Sequence, residues 1–440
     1  MKNPTDAAPC LSVTRFAGKV LSLGRQGETT DAWLQKRYEQ ILPELMNREG
    51  IDMWILAARE DNDDPVMRSM LPSSMWGARR LTFLVFCRRD DGAVDRLSLS
   101  RYAIGKDGLF RRVWDQDRED QWEALRRVVE ERQPSRIGLN ISDSFAYADG
   151  LSHGLHVRMH DALGEEWMAR TTSAERLGVG WLETRIDDEL VVYPGLVEMT
   201  HALIEEGFSN RVVHPGLTTS QDVIDWMEGQ MDELGVRDSH YDGMVGYVTI
   251  QGHGQGFEDG FDGDAKKRET ILPGDLIRCD LGFHYLGLWT DVQQNAYILK
   301  PGESDAPDGL KAALADGNRL QDIVAESMAE GHTGNEVLKA AREQALSEGI
   351  EPTIYCHPIG IHCHAAGPTI GLWDQQDGVP GAGDYEIHES TCYSIELNVK
   401  KSVPEWDGQR VRIGLEEDAV FLDGRLQWLS GRQTSFHLIR

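Results

Sequence analysis

The sequence predicts an α/β domain followed by a larger α+β domain assembled from two related halves, and three observations carry that expectation. Residues 33 to 170 alternate short apolar strands with helical stretches. The segment SAERLGVGWLETRIDDELVVYPGLVEMTHALIEEG then reads as a connection running into a long helix, which places a boundary near residue 175. Beyond it, GLTTSQDVIDWMEGQMDELGV from Gly216 and GHTGNEVLKAAREQALSEGI from Gly331 resemble each other.

In the first domain the expected strands are Ile51–Leu56, Leu81–Cys87 and Arg136–Ile141, with a helix at Glu119–Arg132, and nothing in it has the spacing of a catalytic motif. Each of the two similar segments further on gives a Gly, a Thr-bearing helix start, an acidic residue followed by Val, and a helix closing at a Gly twelve residues after that Val. Ser220 and Thr333 are the expected caps and Gly235 and Gly349 the expected stops. A duplicated half is favoured over two unrelated amphipathic helices. The expected organisation is an N-terminal extension at 1–32, an α/β domain at 33–174 and the duplicated α+β domain at 175–440.

Composition narrows the function. At 440 residues, with 40% apolar and 27% charged residues, the chain fits a soluble globular protein of two or three domains. No apolar run is long enough to cross a bilayer, and the first thirty residues lack the continuous apolar stretch of a signal peptide, so a cytoplasmic location is expected. A formal net charge of −28, from 45 basic and 73 acidic residues, repels phosphate backbones and anionic lipid. Neither nucleic acid nor a membrane is expected as a partner. Of six cysteines, Cys279, Cys356, Cys363 and Cys392 lie one to four residues from candidate site residues. They are expected to be free thiols, packed as small hydrophobes rather than holding a thiolate metal site.

The segment PGDLIRCDLGFHYLGLWTDVQQNAYIL reads as a strand at Leu276–Leu281 and a second near Leu288–Ile298, carrying Asp280 and Asp291 eleven residues apart. Aspartate is disfavoured in strand interiors, so two of them need a compensating partner, a divalent cation being an economical one. Two exposed strand ends explain the pair equally well while this segment stands alone. YCHPIGIHCHAAGPTIG adds His357, His362 and His364 within eight residues, in a stretch too rich in Gly and Pro for a regular helix. Imidazole is the usual nitrogen ligand for transition metals. TCYSIELNVKK reads as a strand with Glu396 between Ile395 and Leu397, and GLEEDAVFL brings Glu416 or Glu417 into a similar setting. Four carboxylates and a neutral imidazole nearly balance two divalent cations. Mixed O and N ligation suits Mn, Fe, Co or Zn, and a water shared by two such ions has its pKa lowered towards ~7.

That order and spacing resemble the pita-bread metallopeptidase family, which includes methionine aminopeptidase, aminopeptidase P, prolidase and the metal-free creatinase. The match covers about residues 190 to 425, and a preceding creatinase-like α/β domain looks like the aminopeptidase P and prolidase branch. The resemblance implies two divalent metal ions, Mn first among the candidates, held by Asp280, Asp291, His357, Glu396 and Glu416. It makes His364 the histidine that stabilises the tetrahedral intermediate, Glu396 the proton shuttle to the leaving nitrogen, and His253, in GHGQGF, the family's upstream histidine. The last placement needs the acidic stretch FEDGFDGDAKK to be an insertion. Glu416 is preferred to Glu417 because E-E-D-A-V then aligns with the family's E-x-D-hydrophobic ending. The proline-specific branch carries an Arg two residues before that Glu; here the position is Gly414, and the nearest Arg is Arg412.

The activity so implied is that of an Xaa-Pro aminopeptidase acting on peptides, with a prolidase, a non-peptidase hydrolase or lyase of a small solute, and an inactive binding protein as alternatives. A homodimer is implied as well. Trp76 could then reach a neighbour's cleft, although burial in its own core is the favoured expectation.

Overall fold

The computed structural model describes residues 12–105, 108–236, 246–254 and 269–440. FEDGFDGDAKK lies outside them, so its expected role as an insertion is not addressed. The chain divides into two compact units: Ser22–Glu189, and Leu190–Arg440 with the stretch ending at Leu21.

The first unit begins with a long helix, Leu23–Arg48, whose buried residues Trp33, Leu34, Tyr38, Ile41, Leu42 and Leu45 form one stripe. The unit therefore starts inside the stretch expected to be an extension, and it ends later than residue 174. The physical tie is Arg37. This buried guanidinium ion-pairs with Glu189 at 3.0 Å, donates to the Thr184 carbonyl at 2.8 Å and also reaches the Trp181 carbonyl. Burial, against which Glu189 pulls, lowers its pKa to about 10.

Six strands make the sheet of this unit: β1 (Met53–Arg59), β2 (Leu81–Arg88), β3 (Val94–Leu99), β4 (Arg111–Arg112), β5 (Ile137–Leu139) and β6 (Thr171–Ser173), in the order β4-β3-β2-β1-β5-β6. The helix expected from Glu119 runs from Gln121 to Arg132, because Asp120 caps it in a capping box with Glu123. Trp76, expected in the core, is 76% exposed.

The second unit repeats a motif. Helix Ser220–Leu234 is capped by Thr219, whose side chain accepts from the Asp222 amide while Asp222 reaches back. Helix Gly334–Ser347 is capped in the same way by Thr333 and Glu336. The first cap is thus Thr219 and not Ser220, because only Thr219 keeps the three-residue spacing to an acidic partner. The turn before each helix makes equivalent bonds: Gly216 N to Ile271 O at 2.8 Å and Ile271 N to Thr218 O at 2.9 Å in the first, Gly331 N to Ile387 O at 2.9 Å and Ile387 N to His332 O at 2.8 Å in the second. Two helix-and-strand halves follow one design, as the sequence repeat predicts.

The strands after the first repeat are β7 (Tyr247–Gln251), β8 (Leu276–Leu281), the small hairpin β9 (His284–Tyr285) and β10 (Leu288–Trp289), and β11 (Val292–Ile298). After the second repeat helix come β12 (Pro352–Ile354), β13 (His357–Ile359), β14 (Thr391–Ser394), β15 (Leu397–Val403), β16 (Gln409–Leu415), β17 (Asp418–Leu422), β18 (Arg425–Trp428) and β19 (His437–Ile439). They form sheets ordered β19-β11-β8-β7, β12-β15-β16 and β13-β14-β17-β18. An apolar core including Leu310, Leu314, Ile323, Ile395, Ile413 and Phe421 underlies the second half.

Two expected strands are broken. The strand expected through Ile395 and Glu396 stops at Ser394 and resumes at Leu397, and its partner stops at Leu415 and resumes at Asp418. Ser394 pairs with Asp418 and Leu397 with Leu415, so the interruptions face each other where the hairpin passes from one sheet to another. Similarly Asp291 falls between β10 and β11 instead of inside one strand. Such breaks re-aim side chains that regular alternation would send to opposite faces.

Candidate metal centre

Strand β8 places Asp280 opposite Gln293 of β11. Strand β11 then meets the second half at its interruption, Gln293 N donating to Glu416 O at 3.0 Å and Glu416 N to Gln293 O at 3.2 Å. Asp280 and Asp291 from one half thereby meet Glu396 and Glu416 from the other. His357 opens β13, opposite Ser394. Three overlapping groups, Asp280–Asp291–Glu416, His357–Glu396–Glu416 and Asp291–His357–His364, each have one potential ligand atom per residue within 4.8 Å of the others.

The electrostatics of this cluster call for a cation. Asp280, Asp291, Glu396 and Glu416 are all buried. Burial, then the charge of Glu416, pushes the Asp280 carboxyl up to about 7. The same two causes, joined by neighbouring carboxylates, hold Asp291 and Glu396 well above the usual range. Two like charges about 4 to 5 Å apart repel by roughly 3–4 kcal/mol at an effective dielectric of about 20. Among the described residues, two buried ligand atoms, His357 Nε2 and Asp280 Oδ1, have no hydrogen-bond partner. His357 Nε2 faces Glu416 Oε1 at 3.6 Å and Asp291 Oδ2 at 3.9 Å, too far for a hydrogen bond and suited to a shared ion. The donor set of carboxylates and imidazole therefore fits divalent transition cations.

Glu416 and Glu417 separate cleanly. Glu416 receives the Ser394 hydroxyl at 2.5 Å and faces the cluster. Glu417 points away, to His201 Nε2 at 2.6 Å, Gln294 Nε2 at 3.0 Å and the Gln433 amide at 2.9 Å. Although burial opposes the imidazolium, Glu417 raises the pKa of His201 above its ordinary value. Sequence reasoning missed His201, which sits in helix Asp187–Gly207 more than two hundred residues before its partner.

Of the expected histidines, His364 lies beside the cluster, its ring edge-on to that of His357 with centroids 4.6 Å apart. Burial and then His357 lower its pKa. His253 is not brought there. Strand β7 runs antiparallel to β8 with Tyr247 opposite Asp280 and Gln251 opposite Leu276, so His253 emerges past the far end of β8. Its Nε2 lies 3.3 Å from Asp407 Oδ2, and its ring stacks on Trp406. The strand register, which the sequence does not display, is the reason.

Of three further residues beside the cluster, Cys363 was expected there only as a packed thiol, and Gln293 and Arg278 were not anticipated. Cys363 donates its thiol to Asp291 Oδ2 at 3.1 Å, and burial and Asp291 push its pKa up. Gln293 Nε2 contacts Asp280 Oδ2 at 3.1 Å, Glu396 Oε1 at 2.5 Å and Glu416 Oε2 at 2.7 Å, while Arg278 Nη1 donates to its Oε1 at 2.7 Å. The sequence held a signal for Gln293: Gln293, Gln294 and Asn295 put three consecutive amides in a strand that is buried throughout. Cys279, Cys356 and Cys392 are buried and form no disulfide.

Buried carboxylates gathered at breaks in a duplicated α+β scaffold, beside an imidazole whose Nε2 has no hydrogen-bond partner among the described residues, make a site that could hold divalent metal ions. The sequence model of metallopeptidase family M24 matches residues 196–421, and the chain belongs to that family. No curated protein sequence matches it. Among solved structures, an X-Pro aminopeptidase from Thermotoga maritima superposes with a TM-score of 0.62 at 17% identity, covering 90% of this chain and 99% of the other. An Xaa-Pro dipeptidase from Bacillus anthracis gives 0.61 at 16% identity, covering 92% and 100%. A prolidase from Pyrococcus furiosus gives 0.54 at 14%, covering 89% and 100%. These likenesses establish the two-part pita-bread fold. Among the described residues no helix is long and apolar enough to cross a membrane.

Proposed function

We propose that the chain is a dinuclear metal-dependent exopeptidase of the Xaa-Pro aminopeptidase type, with Asp280, Asp291, His357, Glu396 and Glu416 as the metal ligands. The observation that carries this reading is a buried cluster of four carboxylates, three of which share a group with His357, whose Nε2 has no hydrogen-bond partner among the described residues. Divalent cations held there supply Lewis-acid polarisation of a carbonyl and acidify a bound water. Mixed carboxylate and imidazole ligation suits Mn, and also Co, Zn or Fe.

The chain's own residues do the rest. His364, at the edge of the cluster and held neutral by its lowered pKa, donates an N–H to the oxygen that gains charge as the scissile carbonyl becomes tetrahedral. Glu396, buried in the cluster and ionised once a cation is held there, would accept a proton from the attacking water and deliver it to the leaving nitrogen. In an Xaa-Pro substrate that nitrogen belongs to proline.

The test is to load metal-free protein with Mn²⁺, Co²⁺ or Zn²⁺ and compare a Gly-Pro dipeptide, an Xaa-Pro tripeptide and a matched Xaa-Ala tripeptide. Cleavage of the Xaa-Pro tripeptide well above the Xaa-Ala control is expected. Cleavage confined to the dipeptide replaces the aminopeptidase reading with a dipeptidase. Ion uptake with no peptide cut leaves the ligands in place and shifts the substrate to a small solute.

A further inference from the structure

Arg278 is 4% exposed, sits two residues before Asp280 on β8, and is a cation buried among the candidate ligands. Its guanidinium occupies a space that exists because residue 414 has no side chain: a Cβ added at Gly414 would lie 2.5 Å from Arg278 Nη1, 3.0 Å from its Cδ and 3.1 Å from Gln293 Oε1. Asn295 Nδ2 closes the same spot from β11, donating to the Gly414 carbonyl at 2.7 Å. Arg278 further lies over the Tyr247 ring at 5.6 Å, which fixes the plane of the guanidinium from the β7 side.

A guanidinium only donates, so the Gln293 atom it meets at 2.7 Å must be the oxygen, and the amide nitrogen must face the carboxylates. That nitrogen has two hydrogens and three carboxylate oxygens within reach, one each from Asp280, Glu396 and Glu416. Those three come from both halves of the duplicated domain. Gln293 is thus the one side chain among the described contacts that touches all three, and Arg278 dictates which end it presents.

We propose that Arg278 and Gln293 form a positioning relay that sets the metal affinity of the cluster, with Gly414 on β16 as the gap that admits the arginine from β8 of the other sheet. The inference rests on the metal-binding reading above and adds residues that are not themselves ligands. In the relay Arg278 polarises and orients the amide. The amide in turn limits how far Asp280, Glu396 and Glu416 can rotate or repel one another before an ion arrives. Partners of this kind change metal affinity by about 10–100-fold when removed.

The experiment is calorimetric titration of Mn²⁺ into metal-free wild type, Arg278→Met, Gln293→Leu and the double variant Arg278→Met/Gly414→Arg, with circular dichroism and Tm recorded for each. The relay predicts affinity weakened by about 10–100-fold in both single variants. It predicts recovery in the double variant, which returns a guanidinium to the same space from β16; a residue needed only for packing gives no such recovery. Folded single variants that bind Mn²⁺ as tightly as wild type overturn the relay, and should Arg278→Met not fold, Gln293→Leu decides alone. A wild type that takes up no ion overturns the metal-binding reading instead.

Discussion

Glu416 turns its carboxylate toward Ser394 and His357, whereas Glu417, one residue on, reaches His201 and Gln294, and that division sets two expectations at the residue scale. The first concerns pH and folding. The pKa of His201 is raised in the folded protein by Glu417, so the pair stabilises the fold fully below the unfolded value of about 6.5 and loses that contribution as pH rises through the folded value. Urea titrations from pH 6 to 9 should show this loss in wild type and a smaller one in His201→Gln. The second concerns the ligands. Asp280, Asp291 and Glu396 hold protons at unusually high pH in the metal-free cluster, with Asp280 at about 7, so an entering cation must displace them. Calorimetry at pH 6 in buffers of different ionisation enthalpy should report net proton release, and metal affinity should rise between pH 5 and 7. Binding without release would mean that the ion sits elsewhere.

At the scale of elements, the two repeat helices depend on equivalent capping boxes, and Thr219→Ala or Thr333→Ala should each cost about 1 kcal/mol in denaturant unfolding. Ser220→Ala should cost far less, since Ser220 is not the cap. A larger effect belongs to Gly246, which enters β7 at φ 105° and would place a Cβ 2.0 Å from the Asp280 carbonyl. No L side chain fits there without moving β8. Gly246→Ala is therefore expected to weaken metal binding even where the fold survives, and isothermal titration of the variant checks it.

These elements also show what the sequence could display. Glu396 stood out because a carboxylate in an apolar strand needs a partner, whereas Asp280 and Asp291 were explained equally well as strand ends and Glu416 was preferred to Glu417 only through the family's ending; the two Gly-to-Gly helix repeats showed their own periodicity. The breaks at Asp291, Glu396 and Glu416 were not legible, since alternation looks continuous through them. Nor was the fate of His253, which depends on strand register, or the contacts of Gln293 and His201, which join residues over one hundred positions apart. Long-range pairing decides these, and local pattern carries no record of it.

For the whole molecule, the candidate ligands all lie in the unit Leu190–Arg440, and the sheet of Ser22–Glu189 contributes none of them. An ion that binds only the folded state stabilises it by about 2.7 kcal/mol at a free concentration one hundred times Kd. Hydrogen exchange with and without Mn²⁺ should accordingly show new protection at Leu276–Leu281, Val292–Ile298 and Leu397–Val403. The amides of Met53–Arg59 serve as the comparison within the same chain.

The most direct measurement is the metal content of the purified protein after loading with Mn²⁺ and gel filtration, compared among wild type, Glu416→Gln and Glu417→Gln. Two ions per chain are expected in wild type and in Glu417→Gln, and fewer than two in Glu416→Gln. Full occupancy in Glu416→Gln, or loss in a folded Glu417→Gln, would contradict the assignment of the cluster as the metal centre.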